Sequence, residues 1–111
     1  MTLEEFERTI FEVAQTAPIC GIPVVRSLLP VSISIRIPIM SGGFVDAFLN
    51  AQTGTTAFAL ILEGKRVFGA DNTGGWHLHP FENAEQHRQI SSAMSFAEFI
   101  AVIEKHSAGT R

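Results

Sequence analysis

The first apolar residues of the chain recur three or four positions apart, as on one face of an α-helix. These positions are Leu3, Phe6, Ile10, Val13 and Ala17. The pattern predicts an amphipathic helix over residues 3–16, with its charged face in solvent. Thr2 and Glu5 form a capping-box pattern, in which each side chain can bind the backbone N–H of the other residue.

The period then changes from helical spacing to two. From Val31 to Ile39, isoleucine and valine alternate with serine, arginine and proline, which predicts a strand with one buried face. Pro30 and Pro38 lack the N–H that a central strand needs, so this strand is predicted at a sheet edge. Residues 24–29 are either the beginning of this strand or a separate short strand.

Three further extended runs follow, over residues 44–51, 56–62 and 66–70. Short connections that contain glycine separate them, and such connections favour antiparallel hairpins over crossovers. The run 56–62 is apolar on nearly both faces, which is typical of a central strand. The spacing therefore predicts an antiparallel meander of about four to five strands.

Helical spacing returns near the C-terminus. Ser95 and Glu98 repeat the capping-box pattern, and one stripe carries Phe96, Phe99, Ile100 and Ile103. This helix is predicted to end near Lys105 and His106, whose cationic side chains suit the C-terminal end of the helix dipole. The outline is a single α+β domain over residues 1–111, with an antiparallel sheet flanked by an N-terminal and a C-terminal helix.

Composition narrows the classes of function. The chain has 111 residues, 46% of them hydrophobic, which suits one packed domain. Its net charge of -3 gives little attraction for a nucleic-acid backbone, so nucleic acid is expected only as a local substrate. A single cysteine, Cys20, excludes an internal disulfide. The acidic N-terminus and the lack of a long apolar run predict a cytoplasmic protein with no membrane partner.

A surface for self-association is suggested by large apolar residues assigned to the outer face of the sheet. These are Phe44, Phe48, Phe58 and Leu60. They offer more apolar area than two short helices easily cover, so a homo-oligomer is expected. The alternative is that each helix covers a different face of the sheet.

Residues 71–87, DNTGGWHLHPFENAEQH, contain three of the four histidines. If this segment is extended, His77 and His79 project from the same face, about 7 Å apart at their Cα atoms. Two such imidazoles can bind one divalent metal ion such as zinc, with His87, Glu82 or Asp71 as the third ligand. The sequence leaves these three possibilities for the third ligand open.

The same segment also suits metal-free acid–base catalysis. His77 and His79 could share proton transfer, with Asp71 orienting one ring and Asn72 donating to a developing negative charge. A purely structural alternative has Trp76 and Leu78 anchoring the loop by burial, with the imidazoles left at the surface or hydrogen-bonded to the backbone. No serine or cysteine stands in a recognisable nucleophile context, so the pattern does not decide whether the protein is an enzyme.

The last 45 residues or so resemble the TumE-like toxins of prokaryotic toxin–antitoxin systems. The similar residues are Arg66-Val67-Phe68, Asp71-Asn72, His77-Leu78-His79-Pro80 and the helix that opens at Ser95-Phe96. The resemblance implies a small intracellular toxin that acts on RNA or a nucleotide, and an antitoxin protein as partner. It also implies that the histidine-rich loop is the functional region.

Overall fold

A computed structural model of the chain describes residues 1–109 and shows two helices and seven strands. The helices are α1 (Leu3–Thr16) and α2 (Phe96–Gly109). The strands are β1 (Val24–Leu28), β2 (Ser32–Pro38), β3 (Phe44–Asn50), β4 (Thr56–Leu62), β5 (Lys65–Asp71), β6 (His77–His79) and β7 (Arg88–Gln89). The α+β class, the antiparallel sheet and the two terminal helices are confirmed, although the sheet has more strands than predicted.

Both helices begin at the predicted capping boxes. In α1, the Glu5 N–H donates to Thr2 Oγ1 at 3.0 Å and the Thr2 N–H donates to Glu5 Oε1 at 2.8 Å. In α2, the backbone N–H of Ser95 and then its hydroxyl lower the pKa of Glu98. This helix continues beyond its predicted end near residue 106 because no helix-breaking residue precedes Gly109. Neither helix is long and apolar enough to cross a membrane.

The sheet is a meander in which each strand pairs with the next one in sequence. β4 is the fourth of the seven strands, which confirms its predicted central position. A two-residue turn joins it to β5, with positive φ angles of 51° at Glu63 and 77° at Gly64. Two positive φ angles match the right-handed twist of the adjoining strands and so favour a tight hairpin.

The predicted edge position of the isoleucine strand is wrong. β2 lies inside the sheet, because β1 pairs with its other side. The proline argument fails for a local reason: Pro30 precedes the strand and Pro38 is its last residue. The Pro38 carbonyl also accepts the Gly21 N–H at 2.7 Å, so the end of the strand is bonded without a proline N–H.

Both helices pack on the same face of the sheet. Phe58 lies at the centre of this core, with its ring 6.4 Å from Phe6 of α1, and 5.6 and 5.4 Å from Phe96 and Phe99 of α2. The strands supply the remaining buried residues, which are Ile33, Ile35, Ile37, Val45, Ala47, Leu49, Leu60, Phe68 and Ala70. The result is a two-layer domain in which one sheet face is covered and the other carries no helix.

The prediction that four large apolar residues lie on the outer face of the sheet is wrong for two of them. Phe58 and Leu60 are only 3% and 2% exposed and belong to the covered face. Phe44 and Phe48 do lie on the outer face, where both are partly buried. The alternative, in which each helix covers a different face, is also wrong. The apolar residues that motivated self-association are thus divided between the core and the surface.

Cys20 is half-buried beside the sheet and forms an isolated β-bridge with Ile39. Burial, with a smaller contribution from Glu104, raises the pKa of its thiol to about 11. A thiol with this pKa stays protonated near neutral pH, where only the thiolate would be a nucleophile or metal ligand. Cys20 therefore acts as a small apolar residue of the fold.

The turn between β2 and β3 depends on glycine at position 43. Gly43 has a φ of 74°, and a methyl group on its Cα would overlap the Ile61 carbonyl oxygen and Leu62 Cδ2. We expect Gly43→Ala to destabilise the protein by more than the about 1–3 kcal/mol that a left-handed non-glycine residue costs. Gly54→Ala is the matched control, because Gly54 has nearly the same φ, 79°, but no atom within 4 Å of the added methyl group. Equal losses in urea unfolding would contradict the proposed overlap.

Candidate metal centre

The strand pairing of β5 and β6 brings an aspartate and two histidines to one place. Asp71 is the last residue of β5 and pairs with His77, while Gly69 pairs with His79. A turn that contains Gly74 and Gly75, with φ angles of 69° and 101°, reverses the chain between these strands. Alternate residues of a strand share a face, so His77, His79 and Asp71 all lie on the outer face of the sheet.

The neighbours of the histidines anchor β6 from its other side. Trp76 and Leu78 pack against the hydrophobic core, as the structural alternative predicts. The two imidazoles are therefore held by a strand whose opposite face is fixed by apolar contacts. This anchoring does not leave them apart at the surface, because their ring centroids are only 5.2 Å apart.

The loop from 80 to 87 adds the third histidine. It turns through hydrogen bonds from the Asn83 N–H to the Pro80 carbonyl and from the Gln86 N–H to the Asn83 carbonyl. The chain then pairs with β6 as β7, which places His87 beside the first two rings. The His87 ring centroid lies 5.0 Å from that of His77 and 4.5 Å from that of His79.

Asp71 contacts two of the three imidazoles with its two oxygens. Its Oδ1 lies 3.1 Å from His77 Nε2 and its Oδ2 lies 3.2 Å from His79 Nε2. These three residues are largely protected from solvent, since the exposed side-chain fractions are 18% for Asp71, 15% for His77 and 3% for His79, whereas His87 is exposed. A carboxylate at this depth holds both rings in fixed orientations.

The acceptors around the rings assign their protons. A carboxylate only accepts, so His79 Nε2 carries a proton and donates to Asp71 Oδ2. His77 Nδ1 lies 3.1 Å from the Gly75 carbonyl and must donate to it. His77 Nε2 also faces an acceptor, Asp71 Oδ1 at 3.1 Å, so one of its two contacts must open before this ring can present a lone pair to a metal ion.

With Nε2 of His79 committed to Asp71, its Nδ1 has a free lone pair. This atom is buried and makes no hydrogen bond with any described residue of the chain. A buried polar atom without a partner costs free energy, commonly about 1–3 kcal/mol. Proteins leave such atoms unpaired mainly where a water, an ion or a functional group completes the site.

The three histidines have the spacing of a metal site. One nitrogen from each of His77, His79 and His87 can be chosen so that all three lie within 4.8 Å of one another. On a tetrahedral zinc ion with Zn–N bonds of 2.0–2.1 Å, ligand nitrogens are about 3.3 Å apart. Closing the triangle to that size needs each ring to move inward by only about 1 Å.

Of the three predicted candidates for the third ligand, the structure brings His87 closest to forming a group with His77 and His79. Asp71 is not part of this group, but its carboxylate contacts Nε2 of both His77 and His79. Glu82 is exposed and is not part of the cluster. Asn72 is not brought to it either, since its amide donates to the Gly54 carbonyl and accepts the Thr56 N–H, joining two turns of the sheet.

Arg66 is a neighbour of the site that sequence reasoning missed. A methyl group on Gly69 would lie 3.1 Å from Arg66 Cδ and 3.4 Å from His79 Cδ2, so both side chains converge above this glycine. The Arg66 guanidinium continues to the loop and donates from Nη2 to the Ala84 carbonyl at 3.1 Å. A glycine inside a strand can mark such a close approach. Gly69 is therefore the feature of the sequence that could have indicated the position of Arg66.

Comparison of the chain with protein-family models, with curated proteins and with solved structures gave no match in any of the three.

Proposed function

We propose that this protein binds one divalent transition-metal ion, such as zinc, through His77, His79 and His87. The observation that supports it most directly is the buried, unpartnered Nδ1 of His79 in a ring whose Nε2 donates to Asp71. Metal-binding histidines commonly donate their second N–H to a carboxylate, which fixes the tautomer and strengthens the ligand nitrogen. Three imidazoles and no thiolate favour zinc over the hard cations magnesium and calcium.

Burial separates this proposal from metal-free acid–base catalysis. A general base must lie within hydrogen-bonding reach of the proton that it removes from the substrate. His79, at 3% exposure, is closed to a substrate, and Asn72 is used in bonds to backbone groups. A metal centre does not need a substrate to reach His79 itself, because the exposed His87 lies at the solvent side of the cluster.

Replacing His87 by alanine tests the proposal with little risk to the fold, because His87 is exposed. We expect the untagged parent protein to bind zinc at one ion per chain in isothermal titration calorimetry. Removal of an outer partner of a metal ligand lowers the affinity for the metal about 10- to 100-fold. Because His87→Ala removes a ligand itself, we expect it to lower the affinity for zinc by more than this. At a zinc concentration 100 times its Kd, the parent should gain about 2.7 kcal/mol in unfolding free energy.

His106→Ala is the matched control for this experiment. His106 is an exposed histidine outside the cluster, stacked on Phe81 with a centroid distance of 3.6 Å. The His106→Ala variant should bind zinc as tightly as the parent protein. A parent protein that binds no zinc at this stoichiometry, or two variants with equal affinity, would overturn the proposed metal centre.

The toxin-like activity on RNA or a nucleotide stays a prediction of the sequence, together with the antitoxin partner, self-association and cytoplasmic location. A bound zinc ion is compatible with such an activity, because three protein ligands leave its fourth position open to a water or a substrate. The same centre would therefore serve either a metal-binding module or a metal-dependent enzyme.

A further inference from the structure

We propose that the metal centre and Arg66 together bind a phosphate group, as the free dianion or as a phosphate ester. This inference rests on the metal centre proposed above and adds the class of ligand that it takes. The juxtaposition that carries it is the convergence of Arg66 and His79 above Gly69, on the open face of the sheet.

Most N–H donors of the Arg66 guanidinium make no hydrogen bond within residues 1–109. Arginine has five N–H groups, and within residues 1–109 the one hydrogen bond that Arg66 makes with its side chain is the Nη2 donation to Ala84. Within the same residues Arg66 forms no salt bridge, although Glu82 and Glu85 lie in the neighbouring loop. Its position is fixed by the loop while its charge remains available to an anion.

The strand residues next to His79 on the outer face are small. Gly69 of β5 pairs with His79 of β6 on one side and with Ala59 of β4 on the other. Neither Gly69 nor Ala59 carries a bulky side chain. Within residues 1–109 no helix covers this face. Gly69 itself is buried beneath Arg66 and His79, so a ligand that approaches from this face meets the Arg66 guanidinium and the small side chain of Ala59.

Charge selects a dianion over a monoanion. A divalent ion and Arg66 contribute three positive charges, and Asp71 contributes one negative charge, which leaves an excess of two. A phosphate group can give one oxygen to the fourth position of the metal and others to the guanidinium, whose planar fork matches phosphate geometry. A carboxylate has only one charge and two oxygens for both partners.

Cobalt(II), which gives visible bands that report its coordination, is the probe for this site. The cobalt-loaded protein should change its visible spectrum in a saturable way on titration with inorganic phosphate. Acetate should need a concentration at least about tenfold higher, because it carries half the charge. Arg66→Gln should weaken phosphate binding about 10- to 100-fold with cobalt affinity unchanged, as expected for loss of a charged hydrogen bond.

Arg26→Gln is the control, because Arg26 is an exposed arginine of β1, at the opposite edge of the sheet. The cobalt-loaded Arg26→Gln variant should bind phosphate as tightly as the parent protein. Cobalt binding without any response to phosphate would overturn this inference and leave the metal centre in place, and so would equal phosphate affinities of the Arg66→Gln and parent proteins. Failure to bind cobalt or zinc would overturn both proposals.

Discussion

Replacing Phe58 by alanine is expected to cost about 3–5 kcal/mol of unfolding free energy, as for other large aromatic residues in protein cores. Phe58 is 3% exposed, and its ring packs against residues from both helices. The loss is a large part of the about 5–15 kcal/mol that stabilises a typical domain. Urea unfolding followed by circular dichroism measures it. If the alanine variant does not fold, Phe58→Leu should fold with a smaller loss.

Phe48→Ala is the matched control for this prediction. Phe48 lies on the neighbouring strand β3, but it points to the outer face and is only partly buried. We expect less than half the loss of the Phe58 variant, because less apolar area is returned to water. Equal losses would contradict the open outer face and would mean that another copy of the chain covers Phe48 in solution.

Replacing Asp71 by asparagine is expected to weaken zinc binding about 10- to 100-fold, although Asp71 is not one of the three proposed ligands. The carboxylate accepts from His79 and faces His77 with its second oxygen. An asparagine offers only one acceptor, and its NH2 group would donate where an acceptor is needed. One of the two rings would lose the partner that orients it.

Asp46→Asn controls for the loss of a negative charge on the same face of the sheet. Asp46 pairs with Arg36, with Asp46 Oδ1 at 3.1 Å from Arg36 Nε, and it lies on β3 away from the histidines. Its variant should bind zinc like the parent in the same titration. If both variants weaken zinc equally, Asp71 acts through net charge alone and its orienting role is wrong.

Local pattern predicted much of the fold, and the errors have identifiable causes. The helices and β2 to β5 have clear periods or caps, and these elements lie close to their predicted bounds. β6 and β7 have three and two residues, too few for a period to show. The sequence also leaves the buried face of β4 ambiguous, because Ala57, Ala59 and Ile61 alternate with equally apolar residues. The prediction for Phe58 and Leu60 is therefore wrong.

The candidate site could be located from sequence but not completed. The spacing of His77 and His79 predicts a shared face once the segment is extended, and Asp71 was already one of the candidates for orienting a ring. The position of His87 depends on the path of the loop and on the pairing of β7, neither of which leaves a repeating pattern. Arg66 lies beside His79 because β5 pairs with β6 and because Gly69 has no side chain between them. The spacing of residues along the sequence does not show this contact.

The order of the strands has a consequence for how the chain folds. Since every strand pairs with its neighbour in sequence, the sheet can grow one hairpin at a time, with a small loss of chain entropy at each step. The helices belong to opposite ends of the chain and touch each other on the same face of the finished sheet. We expect assembly to proceed outward from the central hairpins, with the meeting of the two chain ends as the slow step.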